Sequence, residues 1–164
     1  MRRRTRGNML LEGILWIPFM VLLVVGTIQF GKVYYTYYSL RKAVFSAAKY
    51  LAAQQNTNFC DLADDINAQT ALNLAVNDPN SGNQLISGFT SSNLLVSTEC
   101  VDPVSGAVVP CDVSQCGSGG GAQRPDYIVV GVTGFTYPIR IPLLNVDPIP
   151  LSPQVTVAFM GSGM

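Results

Sequence analysis

Residues 13–31 read GILWIPFMVLLVVGTIQFG, a run without a formal charge. As an α-helix rising 1.5 Å per residue it extends about 28 Å, close to the hydrocarbon thickness of a bilayer. Pro18 falls early in the run. A proline removes one helical hydrogen bond and favours a kink, which membrane helices tolerate where neighbouring groups compensate. Composition agrees with a chain that lives partly outside water. Of its 164 residues 48% are hydrophobic and only 12% charged, about half the roughly 25% usual for soluble domains.

A formal net charge of zero conceals a division. Residues 1–50 hold eight basic residues (Arg2, Arg3, Arg4, Arg6, Lys32, Arg41, Lys42, Lys49) against one acid, Glu12. The rest holds two basic residues, Arg124 and Arg140, against nine acids. Such asymmetry fits a nucleic-acid arm or a membrane-facing end; with an apolar span between the basic clusters, the membrane is favoured and no nucleic-acid partner is expected. A cleavable secretory signal would have a shorter apolar stretch followed by an A-x-A site. Here the chain instead continues as GKVYYTYYSLRKAVFSAAKYLAAQ (31–54), a helical pattern. The positive-inside rule places Arg2–Arg6 in the cytoplasm, although Lys32, Arg41, Lys42 and Lys49 compete for that side. All four cysteines (Cys60, Cys100, Cys111, Cys116) follow the span. An even set fits disulfides in an oxidising compartment, so the C-terminal part is expected outside.

Beyond the span, Val33, Tyr37, Leu40, Val44, Ala47 and Leu51 recur at spacings of three and four, one apolar face of an amphipathic helix expected to pack on the domain's own sheet. A competing use of part of that face, together with Tyr34–Tyr38, is packing against neighbouring subunits. A second helix is expected at about 61–76, with Asp61, Asp64 and Asp65 at its positive end. A solvated, capped helix start accounts for these acids better than a cation site does. Strands are expected at Leu94–Val101, at Tyr127–Tyr137 with interruptions at Gly131 and Gly134, and at Val155–Phe159. Between the first two lies a Cys/Gly-rich loop, residues 102–126. Four cysteines allow three full pairings; a bond from Cys100 to Cys111 or Cys116, which would shorten this loop, is favoured. Zinc is disfavoured without histidine or paired C-x-x-C spacing. The absence of histidine also removes Ser-His-Asp and Cys-His catalysis, and the Gly117–Gly121 run lacks a P-loop lysine. No enzyme activity and no cofactor are expected.

Glu12 abuts the apolar run. A carboxylate inside a bilayer costs on the order of 2.5–3.5 kcal/mol, so it is normally paired or functional; at headgroup level it would simply face Arg4 or Arg6. The string Arg6-Gly7-Asn8-Met9-Leu10-Leu11-Glu12 resembles the processing site of type IV pilin-like proteins, in which a short basic leader ends in glycine and the fifth mature residue is glutamate. More narrowly, residues 6–54 resemble the TadE family of minor pilins, or pseudopilins. The likeness runs through Glu12, Pro18, Gln29-Phe30-Gly31, Tyr34–Tyr38 and the alanine-rich stretch to Ala53. The segment DYIVVGVTGFTYPIRIPLLNVDPIPLSPQVTVAFMG (126–161) is similar to the family's closing strands.

The resemblance implies cleavage by a prepilin peptidase between Gly7 and Asn8, and pairing of Glu12 with the new N-terminal amine of a neighbouring subunit. A buried pair of this kind sets register more than it adds stability. It implies a role in assembly of a Tad (Flp) pilus, with other pilin or pseudopilin subunits and the assembly machinery as partners, and uses in adhesion and biofilm formation. The expected organisation is a basic leader at 1–7, a transmembrane segment at 8–31, an amphipathic extension at 32–54 and a small extracytoplasmic domain at 55–164. The fold class is α+β: a long N-terminal helix packed on a small antiparallel sheet, with a second short helix. The protein is expected in the bacterial inner membrane with its N-terminus cytoplasmic. Alternatives are an uncleaved, membrane-tethered binding domain and a pseudopilin of the type II secretion kind.

Overall fold

A computed structural model describes residues 5–78, 81–112, 124–139, 141 and 146–160, with side chains from residue 13 onward. The elements run α1 (Thr5–Ala53), α2 (Ile66–Val76), a 3-10 turn at Ser91–Asn93, β1 (Leu94–Val101), β2 (Val108–Pro110), β3 (Tyr127–Val132), β4 (Thr136–Tyr137), β5 (Ile149–Pro150) and β6 (Gln154–Ala158). This is the expected α+β class. Two compact units are distinguished, one of residues 1–35 and 137–149, the other of residues 36–136 and 150–164.

The larger unit is organised by an antiparallel sheet in the order β2-β1-β3-β6. Opposite residues in neighbouring strands share a face. Val96 pairs with Val130 and Val130 with Val155; Thr98 pairs with Ile128 and Ile128 with Val157. That face is the core face, where Ile128 and Val130 are fully buried. The helical layer supplies Leu40, Val44, Ala47 and Leu51, all fully buried, together with Ala43, Ala48 and Ala52. Alanines at 43, 47, 48 and 52 keep this side of the helix flat while preserving helix propensity. The apolar stripe read from the sequence therefore holds over its C-terminal part. Tyr37 departs from it, being 40% exposed; its ring and hydroxyl suit a boundary position better than a dry core.

The end of α1 is closed by its own unit. The Gln54 amide donates to the Leu51 carbonyl at 3.2 Å, and the Met160 amide, just past β6, donates to the Ala52 carbonyl at 3.1 Å. Two carbonyls that helix termination would orphan are thereby satisfied. The second helix begins at Ile66, five residues later than its acids suggested. The cause is Asp65, which acts as N-cap and accepts from the Ala68 amide at 2.9 Å and the Asn58 amide at 2.8 Å. Ala68, Ala71 and Ala75 form the buried stripe of α2.

β1 occupies the expected residues, and β6 starts and ends one residue earlier than expected. The strand expected at Tyr127–Tyr137 is divided into β3 and β4 at Gly134, whose φ of +68° suits glycine. β4 pairs with β5 in a separate two-stranded sheet. Phe89, fully buried, meets Phe135 edge-on at 5.7 Å. Phe59 meets Phe159 in the same way at 5.2 Å.

Candidate membrane-anchoring and assembly segment

From residue 13 the N-terminal half of α1 is apolar around its whole circumference. Ile14, Leu15, Trp16, Ile17, Phe19, Met20, Val21, Leu23 and Val24 are each more than half exposed. A helix that is hydrophobic on all sides belongs in a core or a membrane, and the richest window of this helix has a mean hydropathy of 2.1 with none of it buried. By length and composition α1 is long and apolar enough to cross a membrane once. Pro18 sits inside the helix, where its ring leaves one backbone carbonyl without the usual amide. Trp16 and Phe19 stack edge-on at 5.7 Å. The Thr27 hydroxyl donates to the Leu23 carbonyl at 2.8 Å, so this polar group is satisfied within its own helix.

Gly7, Asn8 and Glu12 lie in the first turns of α1; their side chains fall outside the described residues, as do residues 1–4 of the basic leader. Tyr34 and Tyr35 follow the apolar run and are 66% and 72% exposed. Farther on, Lys42 Nζ stands 5.5 Å from the Tyr38 ring centre and Lys49 Nζ 4.7 Å from that of Phe45. These distances place both ammonium groups in cation–π range.

Of the four cysteines, the structure joins Cys100 to Cys111, one of the two pairings favoured for Cys100. Cys60 is disulfide-bonded as well; Cys116 lies outside the described residues. The Cys100–Cys111 bond closes the hairpin of β1 and β2, in which Cys100 sits opposite Val109. Asp102 builds the turn of this hairpin. Its carboxylate accepts from the Val104 amide at 2.7 Å and the Ser105 amide at 3.2 Å, and these bonds hold its pKa below the ordinary aspartate value. Asp126, just before β3, braces the same end of β1, accepting from the Val101 amide at 2.6 Å.

Asp61, Asp64 and Asp65 are brought near one another around the start of α2, lining a shallow polar depression with Asn56 and Asn58. Among the described residues no three histidine, cysteine or acidic side chains converge as a metal-ligand set. Two features escaped the reading of the sequence. One is a groove between the exposed flank of α1 and β6, walled by Tyr38 and Phe45. The other is Ile66, 79% exposed at the start of α2. The groove had a signal, since Tyr38, Arg41, Lys42, Phe45 and Lys49 recur at helical spacing away from the apolar stripe, but its second wall comes from a strand more than a hundred residues later.

The geometry defines a class: an α+β domain whose first helix continues from a segment able to span a membrane. Residues 7–49 match the family model described as TadE-like protein, the family that the N-terminal string resembles. No curated protein and no solved structure matches the chain.

Proposed function

We propose that the chain is a single-pass minor pilin or pseudopilin that serves assembly of a Tad (Flp) pilus, with its N-terminus in the cytoplasm and its domain outside the inner membrane. The observation that carries this reading is the TadE-like match over residues 7–49. That segment begins at the candidate cleavage residue Gly7, contains Glu12, and includes the whole apolar run. The role is structural: side-by-side packing of anchors and recognition by the domain, without catalysis or a cofactor. Adhesion and biofilm formation would follow from the pilus.

In this reading a prepilin peptidase cuts between Gly7 and Asn8. The ammonium created on Asn8 is neutralised by Glu12 of a neighbouring subunit, since leaving either charge unpaired near lipid is heavily penalised. The test is the intact mass of the protein from its native membrane, with and without the cognate peptidase, alongside a count of surface pili in cells lacking the gene. Loss of residues 1–7 together with loss of pili supports the reading. An unshortened chain in both samples and normal piliation overturn it, leaving a tethered binding domain as the better account.

A further inference from the structure

The exposed flank of α1 carries Tyr38, the adjacent pair Arg41 and Lys42, then Phe45 and Lys49, positions that helical spacing of three and four brings to one side. Tyr38 and Phe45 are 52% and 42% exposed. Together with Gln154, Val155 and Thr156 of β6 they wall a groove of about 500 Å³, rimmed by Arg41 and Lys42 with no acid in its lining. β6 is the edge of the sheet, so the groove lies open along that strand. Among the described residues Arg41, Lys42 and Lys49 make no ion pair. The groove thus offers aromatic walls and two unneutralised cations.

The same unit carries a surface of the opposite character. Ile66 is 79% exposed, although it opens a helix whose buried stripe is made only of small residues. Asp61 and Asp64 beside it are exposed. Asp65 is committed to capping α2, and Asp61 accepts from the Asp64 amide at 3.3 Å. The Asp64 carboxylate has no partner among the described residues. An aliphatic side chain beside two exposed carboxylates complements an aromatic groove rimmed by two cations.

We propose that Ile66 of one copy of this chain seats in the Tyr38–Phe45 groove of a second copy, with Asp61 and Asp64 facing Arg41 and Lys42. The two surfaces are different, so the contact is heterologous and each copy keeps one donor and one acceptor surface free. They are also displaced along α1. Arg41 precedes the end of the helix by twelve residues, about 18 Å at 1.5 Å per residue, whereas the acidic surface follows that end. Successive copies would be staggered rather than paired. A contact this small is weak alone, and confinement to a membrane raises the effective concentration that favours it. The proposal depends neither on removal of the leader nor on a pilus, so its failure leaves the proposed function standing.

The test uses the full chain in liposomes, prepared as an equal mixture of unlabelled and ¹⁵N-labelled protein and treated with a zero-length carbodiimide cross-linker. Mass spectrometry is expected to find Lys42 joined to Asp61 or Asp64 in mixed-isotope pairs. Ile66→Asp and the double variant Arg41→Glu/Lys42→Glu are each expected to reduce those pairs at least tenfold. Mixing that double variant with Asp61→Lys/Asp64→Lys is expected to restore links between positions 42 and 61 or 64, which also shows that both variants are folded. The proposal is overturned by links confined to single-isotope pairs, by yields indifferent to Ile66→Asp, or by a charge-swapped mixture that stays unlinked.

Discussion

Asp102 holds a turn with its carboxylate and its backbone at once. Besides the bonds from Val104 and Ser105, its own amide donates to the Ala107 carbonyl at 2.9 Å and its carbonyl accepts from Gly106 at 2.8 Å. Amide donors stabilise the ionised form, so the pKa is lowered from 3.8 although the side chain is exposed. A depressed folded-state pKa means that the stabilisation is fully present above the ordinary aspartate value and is lost as pH falls through the lower, folded one. NMR titration of the carboxyl carbon is expected to give a midpoint below 3.8, with the turn losing stability as pH falls from the ordinary aspartate value through that midpoint. Gly106 completes the turn at φ +69°. Alanine there is expected to cost roughly 1–2 kcal/mol, as left-handed backbone does for residues with a Cβ. A sharper residue-level contrast lies on α1, where Leu51 is fully buried and Tyr37 is 40% exposed. Leu51→Ala should lower stability by about 2–5 kcal/mol, and Tyr37→Ala by clearly less, as read by hydrogen exchange of the β3 amides.

At the scale of elements the β1–β2 hairpin is the most dependent on covalent help. β2 has three residues, all exposed, and ends in Pro110, which has no amide to give. Its pairing with β1 is secured by Cys100–Cys111, eleven residues apart. Closing a loop of that length restricts the unfolded chain by about 2–3 kcal/mol in the chain-entropy account. The double variant Cys100→Ser/Cys111→Ser is therefore expected to lose amide protection in β2 first, while β3 and β6 retain theirs. β2 was not readable beforehand, because Val108-Val109-Pro110 is too short to show alternation and draws its stability from a bond between distant positions. β1 and β6 were readable, since each alternates against one buried face. The onset of α2 was misplaced because an aspartate serves equally in a first turn and as a cap; only the bond from Asp65 to Ala68 distinguishes the two. The split at Gly134 was marked by the glycine itself, but whether a glycine bends or merely thins a strand is decided by backbone dihedrals. The anchor was plain from its unbroken apolar run. The groove and Ile66 were not, because exposure at an individual position depends on what the rest of the chain covers.

For the whole molecule the open matter is orientation, because basic residues compete on the two sides of the span. Four arginines precede it, at positions 2, 3, 4 and 6, and Lys32, Arg41 and Lys42 follow within a dozen residues of its end. Basic residues within about 15–20 residues of a span set its direction, so the two clusters are nearly balanced. The bonded state of Cys60, Cys100 and Cys111 weighs for the domain outside, because cytosolic thiols are kept reduced. On the proposed topology the N-terminal arginines hold the balance. Replacing Arg2, Arg3, Arg4 and Arg6 with glutamine leaves the cluster at 32–42 unopposed and should invert a measurable fraction of molecules. Inverted molecules place their cysteines in the cytoplasm, where the thiols stay free. Alkylation with a mass-tagged maleimide before reduction should then mark cysteines in the variant but not in the parent chain. External protease on spheroplasts should correspondingly digest the parent domain and spare the inverted fraction. Equal alkylation of parent and variant would mean that the arginines do not set direction. A parent domain that is itself alkylated and protected from protease would place it in the cytoplasm and reverse the proposed topology.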